Sequence, residues 1–244
     1  MHTDSLILAI LIFAAALLYS SVGHGGASGY LAAMALFGLA PEAMKPAALS
    51  LNICVSLIAT WRFSRAGYFS WPLFWPFAAS AVPFAFLGGA LTLPDQFYKP
   101  IVGTVLIFAA YRLFRHSPAT GTATRPVSLP IAVASGSGIG LLSGLTGVGG
   151  GIFLSPLLLF MRWADVRHTS AVAAPFILAK SIAGLLGHLT SVKYIPAPIV
   201  WWVPAAILGG FIGAELGSRR LASPILRRLL AVVLVIAGVK LIVT

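Results

Sequence analysis

The chain has 244 residues, of which 59% are hydrophobic and 9% charged, against about 25% charged in an average soluble domain. Sixteen Lys and Arg stand against five Asp and Glu, a formal net charge of +11, and the mean hydropathy is +0.98. So little polar surface excludes a soluble enzyme and a disordered chain, and it leaves a polytopic membrane protein with the lipid bilayer as its solvent. A spanning helix needs about 20 apolar residues. No charged residue occurs between Asp4 and Glu42, a run too long for one crossing. Gly23, Gly25, Gly26 and Gly29 interrupt it, which predicts a helix over 5–22, a glycine-rich break and a shorter helix over 28–40. Further helices are predicted over 43–62, 71–92, 99–115, 129–145, 151–162, 166–190, 197–216 and 223–243. Of these segments, 28–40 and 151–162 are too short to span at a rise of about 1.5 Å per residue. Pro46, Pro76, Pro83, Pro156, Pro175 and Pro204 lie in or at apolar segments, where they kink helices. The N-terminus has no basic region, so no cleaved signal peptide is expected. The single cysteine, Cys54, lies in an apolar run and offers no disulfide within the chain.

Basic residues set the orientation. Arg62 with Arg65, then Arg112, Arg115 and Arg125, then Arg219, Arg220, Arg227 and Arg228 fall between apolar runs. All three groups are expected on the cytoplasmic side, with the loops near Asp95 and Lys193 opposite. This pattern places the basic charge at loops and gives no reason to expect a nucleic-acid partner. For the crossings to balance, each glycine-broken pair returns to the side it came from, as two crossings or as a re-entrant hairpin.

The chain also matches itself. At an offset of 124 residues, Val22-Gly23-His24-Gly25-Gly26-Ala27 falls on Thr146-Gly147-Val148-Gly149-Gly150-Gly151, Ala40 on Ala164 and Ala47 on Ala171. Pro76 then meets Pro204 and Gly89 meets Gly217 after an insertion of four. The expected architecture is an all-α polytopic membrane protein of two inverted five-segment repeats, each with a glycine-broken or re-entrant helix pair. The first membrane repeat covers 1–115, a cytoplasmic linker 116–127 and the second repeat 128–244. Inverted repeats with interrupted helices at matching positions point to a transporter binding site.

Glycine-rich turns expose consecutive N–H groups and let a ligand approach the backbone. A helix opens after each turn, and its N-terminus adds free donors and partial positive charge. Two such turns facing each other would hold an anion near the midplane. Glycines also permit close helix packing, which is the competing reading. Lys180 sits near the middle of 166–190 with no carboxylate in its segment, where an ionisable group is costly and faces a cavity or a partner. No Asp or Glu lies deep in any segment, so the interior favours an anion over a cation and argues against carboxylate-based coupling. The candidate substrate-binding residues are Gly23, His24, Gly25, Gly26, Asn52, Gly147, Gly149, Gly150, Gly151 and Lys180. Ser56 stands at the repeat position of Lys180, so the site is expected to be asymmetric. Asn52 is read either as a polar contact or as a bridge between helices. His24 is a candidate donor in the first turn, whereas His168 and His188 are expected to be structural hydrogen-bonding residues. No metal site and no cofactor are expected.

Val22-Gly23-His24-Gly25-Gly26 and Gly144-Leu145-Thr146-Gly147-Val148-Gly149-Gly150-Gly151, followed by Ser155-Pro156 and His168-Thr169-Ser170-Ala171, resemble the TauE/SafE sulfite exporter family. Gly209-Gly210, Gly213-Ala214 and Leu226-Arg227-Arg228 fit the same family, and the resemblance covers essentially the whole chain. It implies a multi-pass carrier of the bacterial inner membrane for sulfite, sulfoacetate or another organosulfonate; a homodimer is left open. The first turn departs in carrying His24 and Ala27 where the second has Val148 and Gly151. Two alternatives compete. One is an anion channel with the same site. The other is an intramembrane serine protease that uses Ser28, within Gly26-Ala27-Ser28-Gly29, with His188 as base. No G-x-x-x-x-G-K-[ST] motif is present, so ATP-driven transport would need another subunit.

Overall fold

The computed structural model describes residues 2–114, 125–192, 196–219 and 224–243. These contain ten helices and no strand: α1 (His2–Ser20), α2 (Ala27–Leu36), α3 (Pro41–Arg65), α4 (Trp71–Ala90), α5 (Asp95–Phe114), α6 (Leu129–Thr146), α7 (Gly151–Phe160), α8 (Val166–Ser191), α9 (Ile199–Arg219) and α10 (Pro224–Val243). Every predicted segment is present to within a few residues. The expectations for Arg115, residues 116–124 of the linker, Lys193 and Arg220 lie outside the described residues.

Five of the described helices, α3, α4, α6, α8 and α9, are long and apolar enough to cross a membrane. α2 and α7 have ten residues each. At about 1.5 Å per residue they reach about half of a hydrocarbon core roughly 30 Å thick. Proline opens α3, α4 and α6 at the first or second helical position, where its missing N–H costs nothing. Asp165 caps α8 by accepting from the His168 amide at 2.9 Å. Large apolar side chains such as Trp71, Trp75, Phe114 and Trp201 are exposed, as a lipid-facing surface requires.

Glycine seams set the helix pairing. On α6, Gly136, Gly140 and Gly144 recur every fourth residue and lie on α4. A Cβ at Gly140 would fall 2.3 Å from the Ala81 carbonyl oxygen, and one at Gly144 2.2 Å from that of Ala85. On α9, Gly209, Gly213 and Gly217 lie on α1 in the same manner, with the Phe13, Leu17 and Ser21 carbonyls in the way of any Cβ. Small residues at this spacing let backbones touch in a solvent that provides no hydrophobic drive between helices. α3 and α8 pack side by side, α4 also packs on α8, α3 on α9, and α5 on α10.

Two main hydrophobic cores result. One gathers side chains of α1, α2, α3, α5, α9 and α10 around Tyr30, Met34 and Leu106. The other gathers α4, α6, α7 and α8 around Phe77, Leu154 and Phe176. Neither core follows the division into sequence halves, because α9 joins the first and α4 the second. Exchanging α1, α2, α3 and α4 for α6, α7, α8 and α9 maps the second core onto the α1, α2, α3 and α9 part of the first, while α5 and α10 both belong to the first.

Candidate functional site

Both short helices begin at a glycine turn. Gly23 and Gly147 hold corresponding left-handed conformations, φ 75° and 78°, which L side chains rarely adopt. The turns then diverge: Gly26 is left-handed at φ 102°, while Gly150 is right-handed at φ −62°. The first hydrogen bonds of α2 and α7 start at Tyr30 N to Gly26 O and at Ile152 N to Gly149 O. Ahead of them, the amides of Gly25, Gly26 and Ala27, and of Gly149, Gly150 and Gly151, donate to no acceptor among the described residues. These are the free donors that a helix N-terminus leaves.

The two turns meet. A Cβ on Gly149 would lie 3.4 Å from Ala27 Cβ, and one on Gly151 would lie 2.8 Å from the His24 ring. Asn52, fully buried on α3, stands between them. A Cβ on Gly25 would fall 1.9 Å from Asn52 Oδ1, and one on Gly149 3.5 Å from the same atom. Asn52 Nδ2 donates to Ser181 Oγ at 2.8 Å, and its Oδ1 has no partner among the described residues. His24 Nε2 and Ser155 Oγ share a hydrogen bond of 2.7 Å, which ties the first turn to α7. Asn52 therefore bridges α3 to α8 and also neighbours both turns.

Lys180 is 1% exposed. Its stem lies against the second turn, with Cε 2.6 Å from where a Gly150 Cβ would be. Its ammonium donates to Ser143 Oγ and to the Val148 carbonyl, and Ser143 in turn donates to that carbonyl. Arg62 pairs with Glu215 and His168 with Asp165, and no described carboxylate pairs with Lys180. A charge on Lys180 is thus uncompensated in an apolar interior, a costly arrangement unless an anion shares the space.

At three of the predicted glycines the vacant Cβ position faces packing neighbours rather than the opposite turn. Gly23 is pressed against the Ser170 backbone, Gly26 against the Tyr30 ring and Gly147 against the Lys45 backbone. These contacts seat the turns, whereas the vacant Cβ positions of Gly25, Gly149, Gly150 and Gly151 face Asn52, Ala27, Lys180 and His24 where the turns meet.

The sequence reading passed over Lys45, which is 5% exposed and donates to the carbonyls of Gly88, Gly89 and Leu91 at 3.2, 2.9 and 3.0 Å. It caps the C-terminus of α4 beside the second turn. Near the start of its segment it looks like an interfacial lysine, so only its tertiary contacts reveal it. Ser143, Ser155 and Ser181 were also missed as site residues; Ser155 stood in the family motif and Ser181 beside Lys180, whereas Ser143 had no signal. His168 is the hydrogen-bonded residue expected, on Asp165 at 2.9 Å. His188 is not: neither ring nitrogen has a partner, because the glycine-rich and apolar faces around it offer none. Ser28 donates to the Tyr19 phenol oxygen at 2.7 Å, not to a histidine.

A family model described as sulfite exporter TauE/SafE matches residues 8–241. A probable membrane transporter protein of Sinorhizobium fredii is 42% identical over 245 residues, covering 99% of this chain and 99% of that protein. A probable membrane transporter protein of Methanocaldococcus jannaschii is 27% identical over 213 residues, covering 79% of this chain and 78% of that protein. No solved structure matches the chain.

Proposed function

Because the chain belongs to the TauE/SafE sulfite exporter family and is a multi-pass membrane transporter, we propose that it carries small sulfur-containing anions such as sulfite, sulfoacetate or a related organosulfonate. The anion binds where the two glycine turns meet, receiving amides from Gly25 and Gly26 on one side and from Gly149, Gly150 and Gly151 on the other. Lys180 balances its charge, and His24 and Asn52 supply polar contacts. The observation that carries this reading is the contact of the two turns beside a buried lysine that has no carboxylate partner.

The halves 1–115 and 128–244 act as inverted repeats about the linker 116–127, and the exchange symmetry of the helix pairing supports that reading. Alternating access follows when one hydrophobic core rocks against the other across α3 and α8, exposing the turns first to one side and then to the opposite side. The membrane is the bacterial inner membrane.

The test is a thermal-shift screen of the purified protein against sulfite, thiosulfate, sulfoacetate, taurine, sulfate and simple carboxylates. A ligand that binds the folded state raises apparent stability by mass action. Shifts confined to sulfur anions support the substrate class, and shifts with carboxylates alone overturn it. Saturable exchange of labelled for unlabelled anion in proteoliposomes supports a carrier; unsaturable flux would favour a channel with the same site.

A further inference from the structure

His188 is a buried titratable side chain that the anion site does not use. It is 3% exposed, near the C-terminus of α8, and neither Nδ1 nor Nε2 has a hydrogen-bond partner. An imidazole always carries at least one N–H, so such a ring leaves both nitrogens unsatisfied in an apolar setting. Packing around it is tight: a Cβ on Gly187 would fall 2.0 Å from the Phe86 carbonyl oxygen. A proton is the ligand that needs no cavity, and histidine is the side chain that takes one up near neutral pH.

The helices packed on α8 are α3, α4, α6 and α7. Of these, α4, α6 and α7 hold no titratable side chain. α3 carries Glu42, Lys45, Cys54, Arg62 and Arg65, and the Lys45 ammonium is held on the α4 carbonyls. The other titratable residues of α8 itself are Arg167, His168 and Lys180. Among the described residues no ion pair joins His188 to a carboxylate. A bound anion would balance a proton on this ring.

We propose that His188 is a proton-binding site linked to the anion site, so that the chain moves its anion together with a proton; this rests on the anion reading above. His188 lies eight residues beyond Lys180 on one helix, about 12 Å along its axis. One negative charge at that distance, at an effective dielectric of about 20, favours protonation of the ring about tenfold. Linkage makes the effect reciprocal, so a protonated His188 tightens anion binding by the same factor. The proton adds to a ring nitrogen lone pair from water on one side, and it leaves from that nitrogen to water on the other side when the anion dissociates. Nothing is oxidised or reduced, and one negative and one positive charge cross together.

The experiment is calorimetry of the full-length protein in detergent with thiosulfate, which carries no proton of its own near pH 6.5. Titrations in buffers of different ionisation enthalpy give the protons taken up per anion bound. Wild type should take up more than His188→Gln, by up to about one proton per anion. Lys180 contributes equally to both proteins and cancels in the difference. At pH well above the histidine range the two should bind with affinities within about twofold. His188→Asn, also neutral, should repeat the result and guards against a defect peculiar to one variant. Equal proton uptake in wild type and both variants would overturn the proton site and leave the anion site standing. Failure of thiosulfate, sulfite and sulfoacetate to bind any of the proteins would overturn the anion reading and this one with it.

Discussion

Lys180→Met separates a substrate-facing lysine from a structural one. Methionine keeps the length and the apolar stem that packs on Gly150 but removes the charge. An anion on the amides of the second turn would sit about 4 Å from the ammonium, where two unit charges attract by about 4 kcal/mol at an effective dielectric of about 20. Weakening the lysine's bonds to Ser143 and Val148 offsets about half of that, which leaves about 2 kcal/mol, or roughly 30-fold in affinity. Stability should move the other way. The charge is buried and no carboxylate compensates it, so its removal lifts a desolvation cost, and the melting temperature should hold or rise. Calorimetry with the anion that gives the largest thermal shift measures the first quantity, and unfolding monitored by tryptophan fluorescence measures the second. Affinity within about threefold of wild type would refute the reasoning. So would a fall in melting temperature with binding intact, which is the signature of a lysine that only holds Ser143 and Val148 in place.

Gly149→Ala should fold normally, since its Cβ meets ordinary contacts at 3.4 and 3.5 Å, yet it narrows the gap between the turns and should weaken anion affinity measured by the same calorimetry. Gly25→Ala should reduce transport at least tenfold in proteoliposome exchange, because its Cβ would fall 1.9 Å from Asn52 Oδ1 and force that side chain out of place. Lys45→Met removes the cap from three carbonyls at the end of α4, so thermal unfolding should show a loss of about 1–3 kcal/mol. Asp165→Ala should cost about 1 kcal/mol as a lost helix cap. Burial raises the Asp165 carboxyl, but bonds from the His168 backbone and ring outweigh it and hold the group below its ordinary 3.8. Its contribution is therefore present above the unfolded value and fades as pH falls through the lower folded value. Denaturation scans across the acid range should show the difference between wild type and variant shrinking in that window.

The helices were legible because spans and breaks depend on local composition: an uncharged run from Ser5 to Pro41, cut by Gly23, Gly25 and Gly26, admits few other readings. Lys180 was legible for the same reason, as an ammonium far from either end of an apolar helix. What stayed hidden depends on partners distant in the chain. Lys45 sits one turn into α3 and resembles an interfacial residue until α4 ends against it. The serines that serve Lys180, His24 and Asn52 lie on α6, α7 and α8, and only partners distant in the chain give them those roles. Gly26 and Gly150 align in the repeat yet differ in backbone hand, a difference that the matched glycines do not encode.

The glycine contacts between α1 and α9, and between α4 and α6, carry a cost during biosynthesis. Each joins a helix from one half of the chain to a helix from the other, so neither half on its own can cover its glycines. The hydroxyl of Ser20 finds its acceptor, the Gly210 carbonyl, 190 residues downstream. α1 therefore waits in the lipid, exposed backbone and all, until α9 has been made. Co-expressed fragments cut in the linker should recover a folded protein only together, because what looks like a tandem duplication is built as two interlaced pieces.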